Sequence, residues 1–443
     1  MTTALCYLST YVESLPNRTC QPTVAEASTY TGQRLQSSAS LLMRILYLNN
    51  MYDADGVSLG SAMKIRCLAE ELTRLGHEVD IQWLNPQAFP RQSDGHSRAE
   101  PHRHSLIRSQ LRGYLSVPRA LMRDLASWSR TREAIEAFSP DVVMLRLDFC
   151  RVAAAELTHR RGLPLVVEAD APVVHERQRY IHEARFGLGT ARWCERRVLE
   201  RAAGIFAQSE VTRQLLVDAG APSHNFRVVP NGADPNRMAG PEARSSTRDK
   251  LCLARVPVIG FVGAFNSFHG IDKLLEAIPE VSSRHPDARY LLVGGGGNRE
   301  ADARRFAEAN EAVVVTGRVP HDDVQAFLAA MDIAVAPYGP ERNFYFSPIK
   351  VFEYMAAGRL VVAPALGQIT ELIRHEETGL LYNPWDNDAL RRCLLHALSL
   401  PSAERRRIGR SARRVIQERF TWSHAAHRVE ALIKNVLEQS VQH

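Results

Sequence analysis

Ser347, Pro348, Lys350 and Glu353 fall within one short run, FYFSPIKVFEYMAAG, residues 344–358. Serine is a preferred N-cap and proline is favoured at the first helical position, so Ser347 and Pro348 predict a helix start. The N–H groups of Ile349 and Lys350 then point out of the helix end, where the helix dipole favours an anion. Lys350 adds a full positive charge in the same turn, and together these groups suit a phosphate. Glu353, three residues on, shares a helix face with Lys350. One turn beyond a diphosphate, its carboxylate is placed to accept two hydrogen bonds from the hydroxyls of a ribose. A capped helix with an ordinary Lys–Glu pair, Ser347 bonding back to its own helix, would use the same residues.

Two glycine-bearing loops add to this signal. FVGAFNSFHGIDKLLEA sets Gly263 after a predicted strand and Gly270 before a helix, with His269 between them. LLVGGGG sets glycines 294 to 297 after another strand, where the backbone must turn sharply or pass close to something. His269 is either a structural histidine or a group beside the phosphate. Neither loop is a GxGxxG followed by a distant ribose-binding acid, and there is no GxxxxGK[ST]. A dinucleotide fingerprint and a P-loop are therefore not supported.

These residues need a frame to hold them, and the hydropathy pattern supplies one. Strand-like runs stand at 44–49, 78–84, 141–146, 164–168, 204–208 and 226–229, with helical stripes between them. One stripe places apolar residues at 65, 68, 69, 72 and 75, ahead of Gly76 as a helix stop. A second series follows at 256–263, 289–294, 312–315, 332–337, 359–364 and 379–382. Alternating strand and helix argues for βαβ units and parallel sheets, hence an α/β chain of two doubly wound Rossmann-like domains facing a cleft. The expected division is an amino-terminal domain over 43–229, a Pro- and Gly-rich linker over 230–250, a second domain over 251–420, and a terminal helix over 421–443 crossing back to the first. Residues 1–42 lack a sustained period and are expected to be a disordered extension or the product of a start codon placed too early.

The chain has 443 residues, 45% hydrophobic and 23% charged, ordinary for a globular protein of two or three domains. No apolar run approaches the length of a transmembrane helix. The seven cysteines are scattered without CxxC spacing, which suits a reduced, cytoplasmic setting. The net charge of +6 is uneven: residues 89–132 hold nine arginines against three acids, with His96, His102 and His104 among them. That segment reads either as a solvated loop or as a patch for an anionic acceptor or an acidic membrane surface. No nucleic-acid reading module accompanies it, so nucleic acid is not an expected partner.

The ordered set PNGAD, FVGAF…HGIDKLLEAI, LLVGGGG, TGRVP, DIAVAPY, FSPIKVFEYMAAGRLVVA and ETGLL resembles the retaining GT-B glycosyltransferases of the group-1 (family 4) class. The resemblance extends less specifically through RILYLNN, LAEELTRLGHEV, PDVVMLR, PLVVEADAP and IFAQSE, from Met43 to about Phe420. It implies a nucleoside-diphosphate sugar donor held by the second domain and a glycan, lipid or small-molecule acceptor held by the first. Glu353 then matches the second glutamate of the family's E-x7-E motif, the one that holds the ribose. The turn at Gly317, Arg318 and Val319 would meet the nucleobase and the N–H groups near Ser347 to Lys350 the diphosphate, with Gly263 and Gly294 also among the donor-binding residues. Gly60, Asp170 and His175 fall on the acceptor side.

Three departures from the family pattern are visible. Tyr345 stands where the first glutamate of E-x7-E belongs, His269 where a lysine is usual, and Asp170 where a histidine often follows the PLVV-type strand. They accompany SPLK-like and HG segments that mark a subgroup. The implied mechanism is front-face transfer with retention. Lys350, the helix start and His269 would stabilise the leaving diphosphate without a metal or other cofactor. Asp170 is the third catalytic candidate, its alternative being a turn cap before Pro172. Asp322-Asp323 reads as the cap of a helix rather than as a metal-binding pair. A GT-B-shaped UDP-sugar epimerase and a non-catalytic sugar-nucleotide-binding protein are the competing functions. The expected location is cytoplasmic, with peripheral contact to the inner membrane face through residues 89–132.

Overall fold

The computed structural model describes residues 42–52, 60–85, 115–178, 187–253 and 255–441. The amino-terminal expectation for residues up to 41, and residues 89–114 of the basic segment, lie outside these. Six strands form the first sheet: β1 (Arg44–Tyr52), β2 (Glu78–Asn85), β3 (Val142–Arg146), β4 (Leu165–Ala169), β5 (Gly204–Ala207) and β6 (Phe226–Val228). They pair in parallel in the order β2-β1-β3-β4-β5-β6. The second sheet holds β7 (Val258–Val262), β8 (Arg289–Val293), β9 (Val313–Gly317), β10 (Ile333–Val335), β11 (Leu360–Pro364) and β12 (Leu380–Tyr382). Its order is β12-β11-β10-β7-β8-β9, again parallel. Every run expected to be a strand is one. The reason is visible in β4 and β11, buried along their whole length: a parallel sheet covered by helices on both faces selects continuous Val, Leu and Ala.

The topology sets where a ligand can sit. Strand order reverses between β1 and β3 in the first sheet and between β7 and β10 in the second. Crevices outside the carboxyl ends of the strands at such reversals are where doubly wound sheets take ligands. The loop after β7 carries Gly263 and His269, and the connection after β10 leads into Lys350, so both border one reversal.

The helix Gly60–Arg74 buries Ile65, Leu68, Ala69 and Leu72 as its stripe predicts, and Gly76 follows at φ 95°. The terminal helix Trp422–Val441 returns to the first sheet. Its Ala425, Val429, Leu432, Ile433 and Val436 share a core with Met43, Ile45, Leu68, Val142 and Phe206. The chain thus crosses between sheets twice, and the crossings touch: the Ala233 N–H donates to the Phe420 carbonyl at 3.0 Å. A Cβ on Gly232 would lie 2.5 Å from the Trp422 nitrogen, too close for any side chain. Gly232→Ala is therefore expected to cost about 1–3 kcal/mol, read as a lower denaturation midpoint at unchanged slope.

Two regions depart from expectation. The 230–250 linker is irregular only in its first part, because Pro241–Lys250 is a helix. That helix has almost no apolar side chains and is held by charge instead. Arg244 and Arg248 each pair with Asp332 at 2.6 Å and also donate to the carbonyls of Ala329, Ala330 and Met331, tying the helix to the second sheet. The described end of the basic segment is also helical, over Ser116–Ala126 and Trp128–Phe138. Leu115, Met122 and Leu125 remain exposed there. Among the described residues no helix is long and apolar enough to cross a membrane.

Candidate active site

Three backbone turns at the ends of β7, β8 and β9 make the floor of the site. The Gly263 N–H donates to the Val293 carbonyl at 2.9 Å, and the Gly294 N–H to the Gly317 carbonyl at 3.0 Å. A Cβ on Gly294 would strike the Gly263 carbonyl, so these turns meet this closely only because both residues are glycine, at φ 126° and 138°.

The phosphate-type helix spans Ile349–Ala356, one residue later than the Ser-Pro pair predicts. Pro348 is the N-cap, with ψ 96°, and its carbonyl takes the first helical bond, from Val351 N–H at 2.8 Å. The N–H groups of Ile349 and Lys350 precede that bond and so have no acceptor within the helix. Ser347 is not the cap. Its hydroxyl is buried without a hydrogen bond among the described residues, and its carbonyl accepts from Asn231 Nδ2 at 2.9 Å.

Lys350 is the centre of the arrangement. Its ammonium is buried, has no hydrogen-bond partner among the described residues, and stands 4.3 Å from the Phe261 ring centroid and 5.4 Å from that of Tyr338. A Cβ on Gly263 would come 2.9 Å from Nζ, so the glycine leaves the ammonium its space. Burial pulls the Lys350 pKa down to about 7, against the opposing pull of Glu353. An uncompensated buried cation is costly unless an anion completes it.

His269 is beside it but is not a cation. Its Nδ1 sits 2.9 Å from the Ala264 carbonyl, which makes Nδ1 the protonated nitrogen. Burial and the neighbouring Lys350 push its pKa down to about 3, so the ring is neutral. The ring therefore adds no positive charge to the pocket; it holds the loop by its Ala264 bond and presents Nε2 as an acceptor.

Glu353 lies on the same helix face, with 14% of its side chain exposed. Burial lifts its carboxyl to about 7, which Lys350 only partly offsets. It faces a cavity of about 50 Å³ shared with Cys67, Glu70, Arg237, His321 and Trp422, with His321 Nε2 at 4.0 Å. That cavity adjoins a cleft of about 1030 Å³ lined by Gly263, Gly294, Arg318, Val319 and His321 on one side and Met63, Ala69, Val79 and Ile81 on the other. Four of the predicted donor residues thus line one cleft, and Glu353 borders it. His321 and Arg237 were not foreseen. The available signal was position, since His321 follows the 317–320 turn and opens the helix His321–Ala330. Asp322 and Asp323 lie inside its first turn, and Pro320, not either acid, is the N-cap.

Two independent sequence comparisons bear on this geometry. Residues 256–399 match the family model for "Glycosyl transferases group 1", and residues 60–232 match a "Glycosyl transferase 4-like domain". The chain belongs to the group 1 glycosyltransferases. Among curated relatives, it is 27% identical to the 2-deoxystreptamine glucosyltransferase of Streptomyces kanamyceticus, over 75% of this chain and 86% of that one. Two solved structures share the fold. Sucrose-phosphate synthase from Thermosynechococcus elongatus aligns at TM-score 0.66 and 21% identity over 89% of this chain and 99% of its own. Anabaena HepE in complex with UDP-glucose aligns at TM-score 0.63 and 18% identity, over 89% and 100%. The fold is GT-B, and the protein is a glycosyltransferase.

Gly60, Asp170 and His175, expected on the acceptor side, each meet different partners in this glycosyltransferase. Gly60 meets the helix start, since a Cβ there would lie 3.6 Å from Ile349 Cδ1. His175 stacks edge-on to Tyr345, with ring centroids 6.2 Å apart. Asp170 neither caps a turn nor stands open. It pairs with Lys64 and, at 2.8 Å, with Arg146 Nε, while Lys64 also pairs with Glu168, which accepts from the Tyr47 hydroxyl. Burial raises the Asp170 carboxyl, but Lys64 and Arg146 outweigh it and hold the group below its usual range. An ionised carboxylate already carrying two cations is a weak base, so Asp170 fits a positioning role for Lys64 and Arg146 better than proton transfer.

Proposed function

We propose that this glycosyltransferase takes its sugar from a nucleoside-diphosphate sugar and passes it to a hydroxylated acceptor with retention of anomeric configuration. The observation that carries the reading is Lys350: a buried ammonium with no hydrogen-bond or ion-pair partner among the described residues, set beside the open N–H groups of a helix start and a glycine that makes room for it. The diphosphate would rest on Lys350 and the N–H groups of Ile349 and Lys350. Glu353 would take the ribose, and the 317–319 turn the base. As the bond from the anomeric carbon to the diphosphate breaks, charge grows on the leaving oxygen, where these fixed donors meet it. The acceptor oxygen bonds to that carbon on the face the diphosphate leaves, and its proton passes to the departing phosphate oxygen. HepE, a structural neighbour, was solved with UDP-glucose, which supports a donor of this class. In this account Lys350 and the helix start supply the positive charge, so turnover is expected to survive EDTA.

Incubation with UDP-, GDP- and ADP-sugars and a panel of acceptors tests the reading. Transfer supports it, an isomerised donor points to an epimerase, and saturable binding without turnover to a binding protein. The exposed Leu115, Met122 and Leu125, interleaved with Arg119 and Arg123, extend the proposal to an acidic membrane surface. Salt-sensitive sedimentation with phosphatidylglycerol vesicles is the expected result. Absence of binding at low salt removes this extension.

A further inference from the structure

In the loop that leads into the phosphate-type helix, Phe344 packs into the core of the second domain while Tyr345 reaches the first. Tyr345 is 1% exposed, and its carbonyl accepts from Ser209 Oγ and Thr212 Oγ1, both at 3.0 Å. Its phenol reaches Glu176, donating to Oε1 at 3.3 Å. Tyr345 stacks on Phe346 with centroids 4.4 Å apart, Phe346 faces Phe268 at 6.3 Å, and Phe268 packs on His269 at 4.2 Å. A continuous row of rings therefore runs from the carboxylate of one domain to the cation pocket of the other.

The sugar of a bound donor hangs from the second phosphate, so it must lie beyond the helix start, on the side toward this row and the first domain. We propose that Glu176 is the carboxylate that takes hydroxyls of the transferred sugar, and that Tyr345 is the positioning residue that aims it. This rests on the donor reading above. Glu176 ends the short helix Val173–Glu176 and is half-buried. Among the described residues the Tyr345 phenol is the one hydrogen-bond partner of its carboxylate, which leaves acceptor capacity on both oxygens. Burial raises its carboxyl, Arg146, the Tyr345 bond and Arg177 oppose, and Asp170 adds to the rise. A partly desolvated carboxylate with spare lone pairs binds hydroxyl donors more strongly than an exposed one. A ring face beside it offers apolar contact to the C–H side of a pyranose.

Steady-state kinetics of Glu176→Gln, Glu176→Asp and Tyr345→Phe test the assignment, each with the sugar nucleotide the wild type turns over. Titration with the free nucleoside diphosphate runs alongside. Glu176→Gln is expected to lose roughly 10- to 100-fold in kcat/KM while keeping nucleoside-diphosphate affinity within about twofold. Discrimination between donors epimeric at one ring hydroxyl should narrow with it. Glu176→Asp should recover part of the loss, and Tyr345→Phe should lose about 3- to 10-fold in the same direction. A merely structural role would lower nucleotide affinity and activity together and leave epimer discrimination intact, which overturns the proposal. So does a Glu176→Gln enzyme equal to wild type in kcat/KM. Wild type that binds no nucleoside diphosphate instead strikes the donor reading beneath it.

Discussion

Lys350→Met is expected to lower kcat by about 10²–10³-fold while raising thermal stability. The two effects share one cause. The ammonium is buried without a hydrogen-bond partner among the described residues, so the folded protein is destabilised by it; an apolar side chain of similar length fills the same space beside Phe261 without that cost. The gain is put at about 1–4 kcal/mol, measured by denaturant unfolding. In the proposed reaction turnover falls because charge develops on the leaving diphosphate, and the cation matters more there than in the ground state. Nucleotide affinity should therefore drop less than kcat. An unchanged kcat in a well-folded variant would remove Lys350 from the chemistry.

The same residue carries the pH dependence. Burial holds Lys350 down to about 7, and a bound diphosphate returns the ammonium toward its ordinary value, so binding takes up a proton. Affinity is then full at low pH and falls by up to about tenfold per unit as pH rises through neutrality. Glu353, lifted to about 7, works in the opposite sense because its ionised form is the better ribose acceptor. The dependence is cleanest with the Glu353 carboxylate removed.

Glu353→Ala supplies that background and is the second large effect. It is expected to weaken binding of the cognate nucleoside diphosphate by roughly 10- to 100-fold, since two charge-assisted hydrogen bonds to the ribose disappear. It should raise KM more than it lowers kcat, because the ribose is held equally in the ground and transition states. Calorimetric titration with the nucleoside diphosphate and with its 2′,3′-dideoxy analogue checks the cause. The variant should bind both alike, while the wild type prefers the ribose form. A wild type indifferent to the ribose hydroxyls would move Glu353 out of this role.

Much of this site was legible in the chain. The inner strands β3, β7, β8 and β11 follow from their runs of Val, Ile and Leu, because parallel strands buried on both faces admit little else. Lys350, Gly263 and Gly294 follow from local spacing, since a helix start and two strand-end glycines each have a physical reason within a few residues. What escaped depends on partners distant in sequence. Asp170 looked like a free carboxylate or a turn cap, and only the fold brings Lys64 and Arg146 onto it. Tyr345 looked like a lost glutamate, and only the fold sets it against Glu176. His269 was left between a structural role and a place beside the phosphate, because the burial that keeps its ring neutral is not written in its neighbours. The Pro241–Lys250 helix was read as linker because its stability comes from Asp332 rather than from an apolar stripe.

We place the diphosphate of the proposed donor on the Lys350 helix start of this glycosyltransferase. A crystal structure with the nucleoside diphosphate of highest affinity among UDP, GDP and ADP tests it most directly. The second phosphate is expected within hydrogen-bond distance of Lys350 Nζ and the N–H groups of Ile349 and Lys350, with the ribose hydroxyls on Glu353. A nucleotide bound with its phosphates away from Lys350, the ammonium still without a partner, would contradict it.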